Sequence, residues 1–214
     1  PPPPSQASLP PLRLIRNCSA ALPPSVGRRL QDTITGAMVL TTYAMTEALP
    51  ICSNATNQER DLSTVGAAAG PQVAVMRENT LDFTTPSAAA TAAAPFFALE
   101  GEEGEVIVRG ACVFEGYEAR SHLGIDPNVI SFVREPAEVE KTASERADGA
   151  GCGTGQLSAP WFRTGDRGRL DARGHLTLTG RYKEVINRAG EKISPLEIEA
   201  ALSEMCAQGC ALEG

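Results

Sequence analysis

The sequence predicts an α/β fold, and three stretches predict it. Residues 12–42 read as strand, helix, strand; residues 161–181 alternate like a two-stranded hairpin; Ser194-Pro195-Leu196-Glu197 opens a capped helix. In the first stretch, residues 12–18 form a short apolar strand and residues 37–42 a second. Between them Val26, Leu30 and Ile34 recur at i, i+4 and i+8, one face of a helix. Such a unit predicts parallel strands joined by a right-handed crossover, both ending at one edge of the sheet. Ligands of open α/β sheets bind beyond the carboxyl ends of the strands. That rule nominates Ser19-Ala20-Ala21 and Tyr43-Ala44-Met45-Thr46-Glu47.

Further along, Gly66-Ala67-Ala68-Ala69-Gly70 leads into a short strand at 73–76. An Ala-rich stretch at roughly 84–98 reads as a solvent-exposed insertion without chemistry. Gly101 to Gly110 carries the next strand, its glutamates read as turn and strand-edge carboxylates. Residues 121–159 read as a second insertion, with His122 a solvated residue. In the hairpin, Leu176 and Leu178 share one face, and His175, Thr177 and Thr179 the other. Asp171-Ala172-Arg173-Gly174 has turn chemistry. If Asp171 pairs with Gly174, Arg181 returns beside Thr164-Gly165-Asp166. A carboxylate beside a guanidinium suits a sugar diol and a nearby phosphate. Taken on spacing alone, a surface salt bridge is the preferred reading. At the capped helix, Pro195 takes the first position, and Ile198, Ala201, Leu202 and Met205 are the expected buried stripe.

The totals set outer bounds. The 214 residues, 42% hydrophobic, suffice for one large domain or two small ones. A net charge of −7 argues against nucleic acid or an anionic membrane as the main partner. Six cysteines lack CxxC or metal-ligand spacing and read as reduced thiols of an intracellular protein. Cys206 and Cys210, a helical turn apart, are expected to pack. No run of 18 apolar residues offers a membrane span. Residues 1–11 are Pro-rich and read as a linker. A start without methionine or leader predicts a fragment.

Trp161-Phe162, Thr164-Gly165-Asp166, Gly180-Arg181-Tyr182-Lys183-Glu184, Gly190 and Pro195-Leu196-Glu197-Ile198-Glu199 carry a resemblance. Together they are similar to the hinge-region signature of the adenylate-forming (AMP-binding) superfamily, which holds acyl-CoA synthetases, luciferases and peptide-synthetase adenylation domains. Tyr43-Ala44-Met45-Thr46-Glu47 resembles that family's Tyr-Gly-x-Thr-Glu motif, with Ala44 where glycine is commoner. Within the family, Arg16-Asn17-Cys18-Ser19-Ala20, the run from Tyr43 to Ala48, and Ile186-Asn187-Arg188 before Gly190 look most like the oxalate–CoA ligase subgroup. Leu49-Pro50 stands where that subgroup has histidine.

The resemblance implies an incomplete adenylate-forming fold. Residues 12–182 would be the later part of the large N-terminal α/β domain with its β-rich subdomain, and 183–214 the hinge and start of a small α+β C-terminal domain. It implies an ATP-dependent carboxylate–CoA ligase acting on oxalate or another small or fatty acid, with ATP/AMP, Mg²⁺ and coenzyme A as cofactors. Tyr43 would lie against adenine, and Ser19, Ala20 and Ala21 would line the adenine and acyl pocket. Thr46 would bond the α-phosphate and Glu47 would hold Mg²⁺, a hard carboxylate for a hard cation. Asp166 would take the ribose diol, Arg181 the ribose or phosphate, Lys183 would be the hinge, and Gly190 would let pantetheine pass. The family's phosphate loop is expected upstream of residue 1, and its adenylation lysine beyond 214. These residues alone are therefore expected to have little ligase activity. Alternatives are a carrier-protein-loading adenylation domain and a non-catalytic nucleotide-binding remnant. A cytoplasmic location is expected; a peroxisomal address would lie past residue 214.

Overall fold

A computed structural model describes residues 12–77, 96–118, 124, 126–135, 159–188 and 191–207. The first unit is β1 (Leu14–Asn17), α1 (Pro24–Thr33) and β2 (Met38–Met45), with β1 and β2 parallel from Leu14↔Met38 to Asn17↔Thr41. Proline starts α1, where its missing N–H costs nothing. The helix is rotated from the expected stripe: Leu30 and Ile34 are half-buried, Val26 is exposed, and Gly27 is the buried residue. A Cβ on Gly27 would come within 2.8 Å of Leu62 Cδ1, so close approach sets which face turns inward.

β2 runs further than expected. Its apolar and β-branched run stays extended through Met45, turns at Thr46-Glu47 and returns as β3 (Ala48–Ser53). The nominated loop after β2 is therefore a hairpin end, with Met45 opposite Ala48. β4 (Ala67–Ala68) completes a sheet of order β1-β2-β3-β4.

The second sheet is built on β8. Its strands are β5 (Gln72–Arg77), β6 (Gly104–Arg109), β7 (Phe132–Val133), β8 (Trp161–Leu170) and β9 (Leu176–Arg181), with the short helix α2 (Pro127–Ser131) just before β7. The order is β5-β6-β8-β7, and β9 also pairs with β8. In β6 every residue from Glu105 to Val108 is buried, as a strand covered on both faces must be. Val106 and Val108 face a cluster with Tyr43, Ile51, Cys52, Phe162 and Leu176, and Ile107 faces another with Met76, Phe96, Val133 and Trp161.

The expected exposure of the first insertion is corrected at its end, and the second insertion contributes to the core. Phe96, at the end of the first expected insertion, is buried, and Phe97 bridges Met76. Inside the second, Val133 is buried and Phe132 lies 5.4 Å from the Phe162 ring. Apolar side chains at 96–98 and 126–135 found a face to cover, which Ala- and Gly-rich flanks disguised. Residues 84–95, 121–123, 125 and 136–158, His122 among them, lie outside the described residues, as do the 1–11 linker and Cys210.

After β9 come a 3-10 turn (Tyr182–Glu184), β10 (Ile186–Arg188), β11 (Glu191–Ile193) and α3 (Pro195–Ala207). The expected stripe on α3 is also corrected. Ile198, Leu202 and Met205 are 41%, 41% and 42% exposed, and Ala201 and Cys206 are exposed too. Leu196, Ala200 and Ser203 are the half-buried set instead. Nor does Ser194 cap as expected: its Oγ is buried without a partner, and only its carbonyl accepts, from Glu197 N at 3.1 Å. Ser194 is crowded against Gly180, where a Cβ would lie 2.8 Å from its Oγ, and that contact sets the helix rotation. No helix among the described residues is long and apolar enough to cross a membrane.

Candidate functional site

The site begins with the β8–β9 turn. Gly174 N donates to Asp171 O at 2.9 Å, and Gly174 takes a φ of +75° that favours glycine. The Asp171 carboxylate accepts from His175 N at 2.8 Å and Arg173 N at 2.9 Å, and the His175 bond above all holds it below the usual carboxylate range. A register shift at Arg167/Gly168 then places Asp166 opposite Arg181. Arg181 Nε and Asp166 Oδ1 form an ion pair at 2.8 Å.

This pair is no surface salt bridge. The Asp166 side chain is 6% exposed, while that of Arg181 is 61% exposed. The second Asp166 oxygen accepts from the Tyr43 hydroxyl, which arrives from the other sheet. Burial, and then the Asp166 charge, push the Tyr43 phenol far above its ordinary range, so it stays a donor. Thr164 supports the corner, accepting from Asp166 N at 3.1 Å and donating to Val106 O at 2.8 Å.

Two cavities meet this array. One, of about 210 Å³, is walled by Tyr43, Thr42 and the Ser19-Ala20-Ala21 turn, and closed by Leu178 with Leu196 and Ala200 of α3. Ser19 has φ +74°, a left-handed residue that bends the chain around the opening. The other, of about 440 Å³, is lined by Met45, Tyr117, Thr164, Gly165, Arg181 and Lys183. Tyr117 of its wall donates through its hydroxyl to Glu47 Oε1 at 2.8 Å.

The expected residues fall as follows. Ser19, Ala20, Ala21 and Tyr43 share the smaller cavity; Asp166 joins Tyr43 to Arg181; Arg181 and Lys183 share the larger. Thr46 is exposed in the hairpin turn beside Glu47. Gly190 lies outside the described residues. Sequence reading missed Thr42, Leu178, Leu196 and Tyr117 as lining residues; Tyr117 is 70 residues from Glu47, so no spacing links them. The glutamates of 101–105 are structural, as expected: Glu105 Oε2 accepts from Arg163 Nη2 at 2.5 Å, and Glu102 from Arg77 Nη2 at 2.8 Å.

These side chains suit a nucleotide. A carboxylate and a guanidinium offer acceptor and donor for a ribose, next to a cavity walled by a tyrosine ring. Among the described residues no group of three or more His, Cys, Asp or Glu could hold a metal by itself. A single carboxylate such as Glu47 still fits Mg²⁺, which is commonly held by one or two carboxylates plus substrate phosphates.

The sequence of the AMP-binding enzyme family matches residues 2–118, and the chain belongs to that family. It is 34% identical over 200 residues to an oxalate–CoA ligase of Arabidopsis thaliana, covering 92% of this chain and 30% of that protein. Against an oxalate–CoA ligase of Saccharomyces cerevisiae the identity is 33%, covering 93% and 29%. ATP-bound MatB of Rhodopseudomonas palustris superposes with a TM-score of 0.61 at 28% identity, over 90% of this chain and 30% of that one. The chain thus spans about 30% of the length of the curated relatives it matches.

Proposed function

We propose that this chain is part of an ATP-dependent carboxylate–CoA ligase. The observation that carries the reading is the buried Asp166, bonded at once to Arg181 and Tyr43 beside the cavity of Ser19, Ala20 and Ala21. In this reading Tyr43 faces adenine, Asp166 and Arg181 take the ribose, Thr46 bonds the α-phosphate, Lys183 is the hinge and Gly190 passes pantetheine. Glu47 would hold Mg²⁺, which offsets charge on the phosphates. A substrate carboxylate oxygen bonds the α-phosphorus of ATP and pyrophosphate leaves. The coenzyme A sulfur then bonds the acyl carbon and AMP leaves. The protein's part is positioning and charge stabilisation. Similarity to oxalate–CoA ligases supports a small carboxylic acid as substrate, and the net charge of −7 supports a small-molecule rather than a nucleic-acid partner. Free thiols at Cys18, Cys52, Cys112 and Cys206 suit a reducing, intracellular setting such as the cytoplasm.

The test is carboxylate-dependent pyrophosphate release by the full-length protein, over a panel of acids that includes oxalate, followed by thioester formation with coenzyme A. Release without any acceptor thiol but transfer only to a carrier protein's phosphopantetheine would reassign it as a carrier-loading domain. No release with any acid would refute the ligase reading. The isolated 214-residue chain is expected to form no measurable acyl-adenylate.

A further inference from the structure

One hydrogen bond at the larger cavity has a built support behind it. Tyr117 donates through its hydroxyl to Glu47 Oε1 at 2.8 Å. Its own backbone is gripped on both sides by one side chain: Tyr117 N donates to Asn128 Oδ1 at 2.7 Å, and Asn128 Nδ2 donates to Tyr117 O at 2.9 Å. Asn128 is fixed in turn, its N and Nδ2 both donating to Asp126 Oδ1 at 2.9 Å. Gly116 permits the approach: it takes φ +149°, and a Cβ there would lie 2.8 Å from Asn128 Oδ1. The Tyr117 ring packs edge-on against Phe114, centroids 4.7 Å apart, and Phe114 N donates to Glu47 O at 2.8 Å. Glu47 is therefore held twice from the 114–117 segment, once by its backbone and once by its carboxylate.

A two-residue turn leaves a glutamate side chain free to sample several rotamers, and fixing it costs entropy. Seven polar and packing contacts from three separate segments are more than a loose turn needs. We propose that Tyr117 is a positioning residue for Glu47, braced by Asn128, that holds one carboxylate oxygen so that the other is presented to a cation. This rests on the reading of Glu47 as the Mg²⁺ carboxylate. It also gives α2, with no apparent role in the sequence, a function in the site. Partners that orient a ligating carboxylate typically matter about 10–100-fold in metal affinity.

The experiment uses the full-length protein and Mn²⁺ in the presence of a non-hydrolysable ATP analogue, with free Mn²⁺ read by electron paramagnetic resonance. Tyr117→Phe keeps the ring on Phe114 and loses only the hydroxyl. We expect Tyr117→Phe and Asn128→Ala each to weaken Mn²⁺ binding about tenfold or more, with metal-free AMP affinity unchanged. Glu47→Gln combined with Tyr117→Phe should bind no more weakly than Glu47→Gln alone, because one acts through the other. Wild-type Mn²⁺ affinity in Tyr117→Phe, with Glu47→Gln weakened, would overturn the positioning role and leave the Glu47 assignment standing. Unchanged affinity in Glu47→Gln would overturn both. A loss of Mn²⁺ and AMP binding together in Tyr117→Phe, additive with Glu47→Gln, would mark a structural role and overturn the proposal as well.

Discussion

Asp166 sits where the two sheets meet, with one oxygen on Arg181 Nε and the other on the Tyr43 hydroxyl. Removing that carboxylate strands a buried donor. Asp166→Ala is expected to cost about 2–3 kcal/mol of stability, since the loss of a charged acceptor leaves the Tyr43 hydroxyl unsatisfied. Asp166→Asn keeps an acceptor for Tyr43 and should cost less; urea denaturation of both variants separates the two effects. If Asp166 takes the ribose, Asp166→Asn should also weaken AMP binding at least about tenfold, the worth of a hydrogen bond to a charged group. Calorimetry that found equal AMP affinity in the wild type and Asp166→Asn would remove the ribose role. Arg181 is different in kind. Its side chain is mostly exposed while its partner carboxylate is buried, so Arg181→Ala should cost about 1–2 kcal/mol by leaving Asp166 with Tyr43 alone, and should lower AMP affinity if Arg181 takes the ribose.

Among the elements, the β8–β9 hairpin was the most legible, because its turn chemistry fixes its register. Asp171 and Gly174 close the turn, and the bulge at Arg167/Gly168 is the one irregularity on the way to Asp166↔Arg181. Helix α3 was less legible. A serine before Pro195 with glutamate three residues on reads as a capping box, yet the Ser194 hydroxyl is buried without a partner. Replacing a true cap by alanine costs about 1 kcal/mol. Ser194→Ala is instead expected to be neutral or stabilising, because it deletes an unsatisfied buried hydroxyl. A drop in the thermal midpoint of several degrees in Ser194→Ala would restore the cap. The helix periodicity of Ile198, Leu202 and Met205 was visible, but periodicity names a stripe and not the neighbour that covers it.

At the scale of the whole molecule, the two sheets share one apolar cluster, in which Cys52 of β3 lies with Val106 of β6 and Phe162 of β8. That burial has a consequence for alkaline stability. Desolvation raises the Cys52 thiol from its ordinary value of 9.0 to about 12, and burial first and Asp166 second raise the Tyr43 phenol far above its ordinary 10.0. In both cases the folded state keeps a proton that the unfolded chain releases. The stability each contributes is complete below the unfolded value and is lost as pH climbs toward the folded one. Stability should therefore decline from about pH 9, and more steeply past about 10, at up to about 1.4 kcal/mol per pH unit for each fully shifted group. Cys52→Ala should move the onset to about pH 10. Denaturation midpoints that stay level from pH 8 to 11 would contradict this.

Local patterns by themselves determined the βαβ unit, the 171–174 turn, the Gly101–Gly110 strand and the family's motifs, because each is written within a few residues of its own chain. The strand-edge rule nominated the Ser19-Ala20-Ala21 and Tyr43–Glu47 loops, the family resemblance added Asp166 and Arg181 as ligands, and the fold brings Ser19, Ala20, Ala21, Tyr43, Asp166 and Arg181 around adjoining cavities. Only the tertiary structure decided that Tyr43 bonds Asp166 across 123 residues, that Tyr117 bonds Glu47 across 70, and that Phe132 and Val133 join the sheet. Those contacts depend on which faces come together. A strand or helix face is readable from its period, but its partner is chosen by close approach at points such as Gly27 and Gly180, where a single Cβ would force the packing to shift.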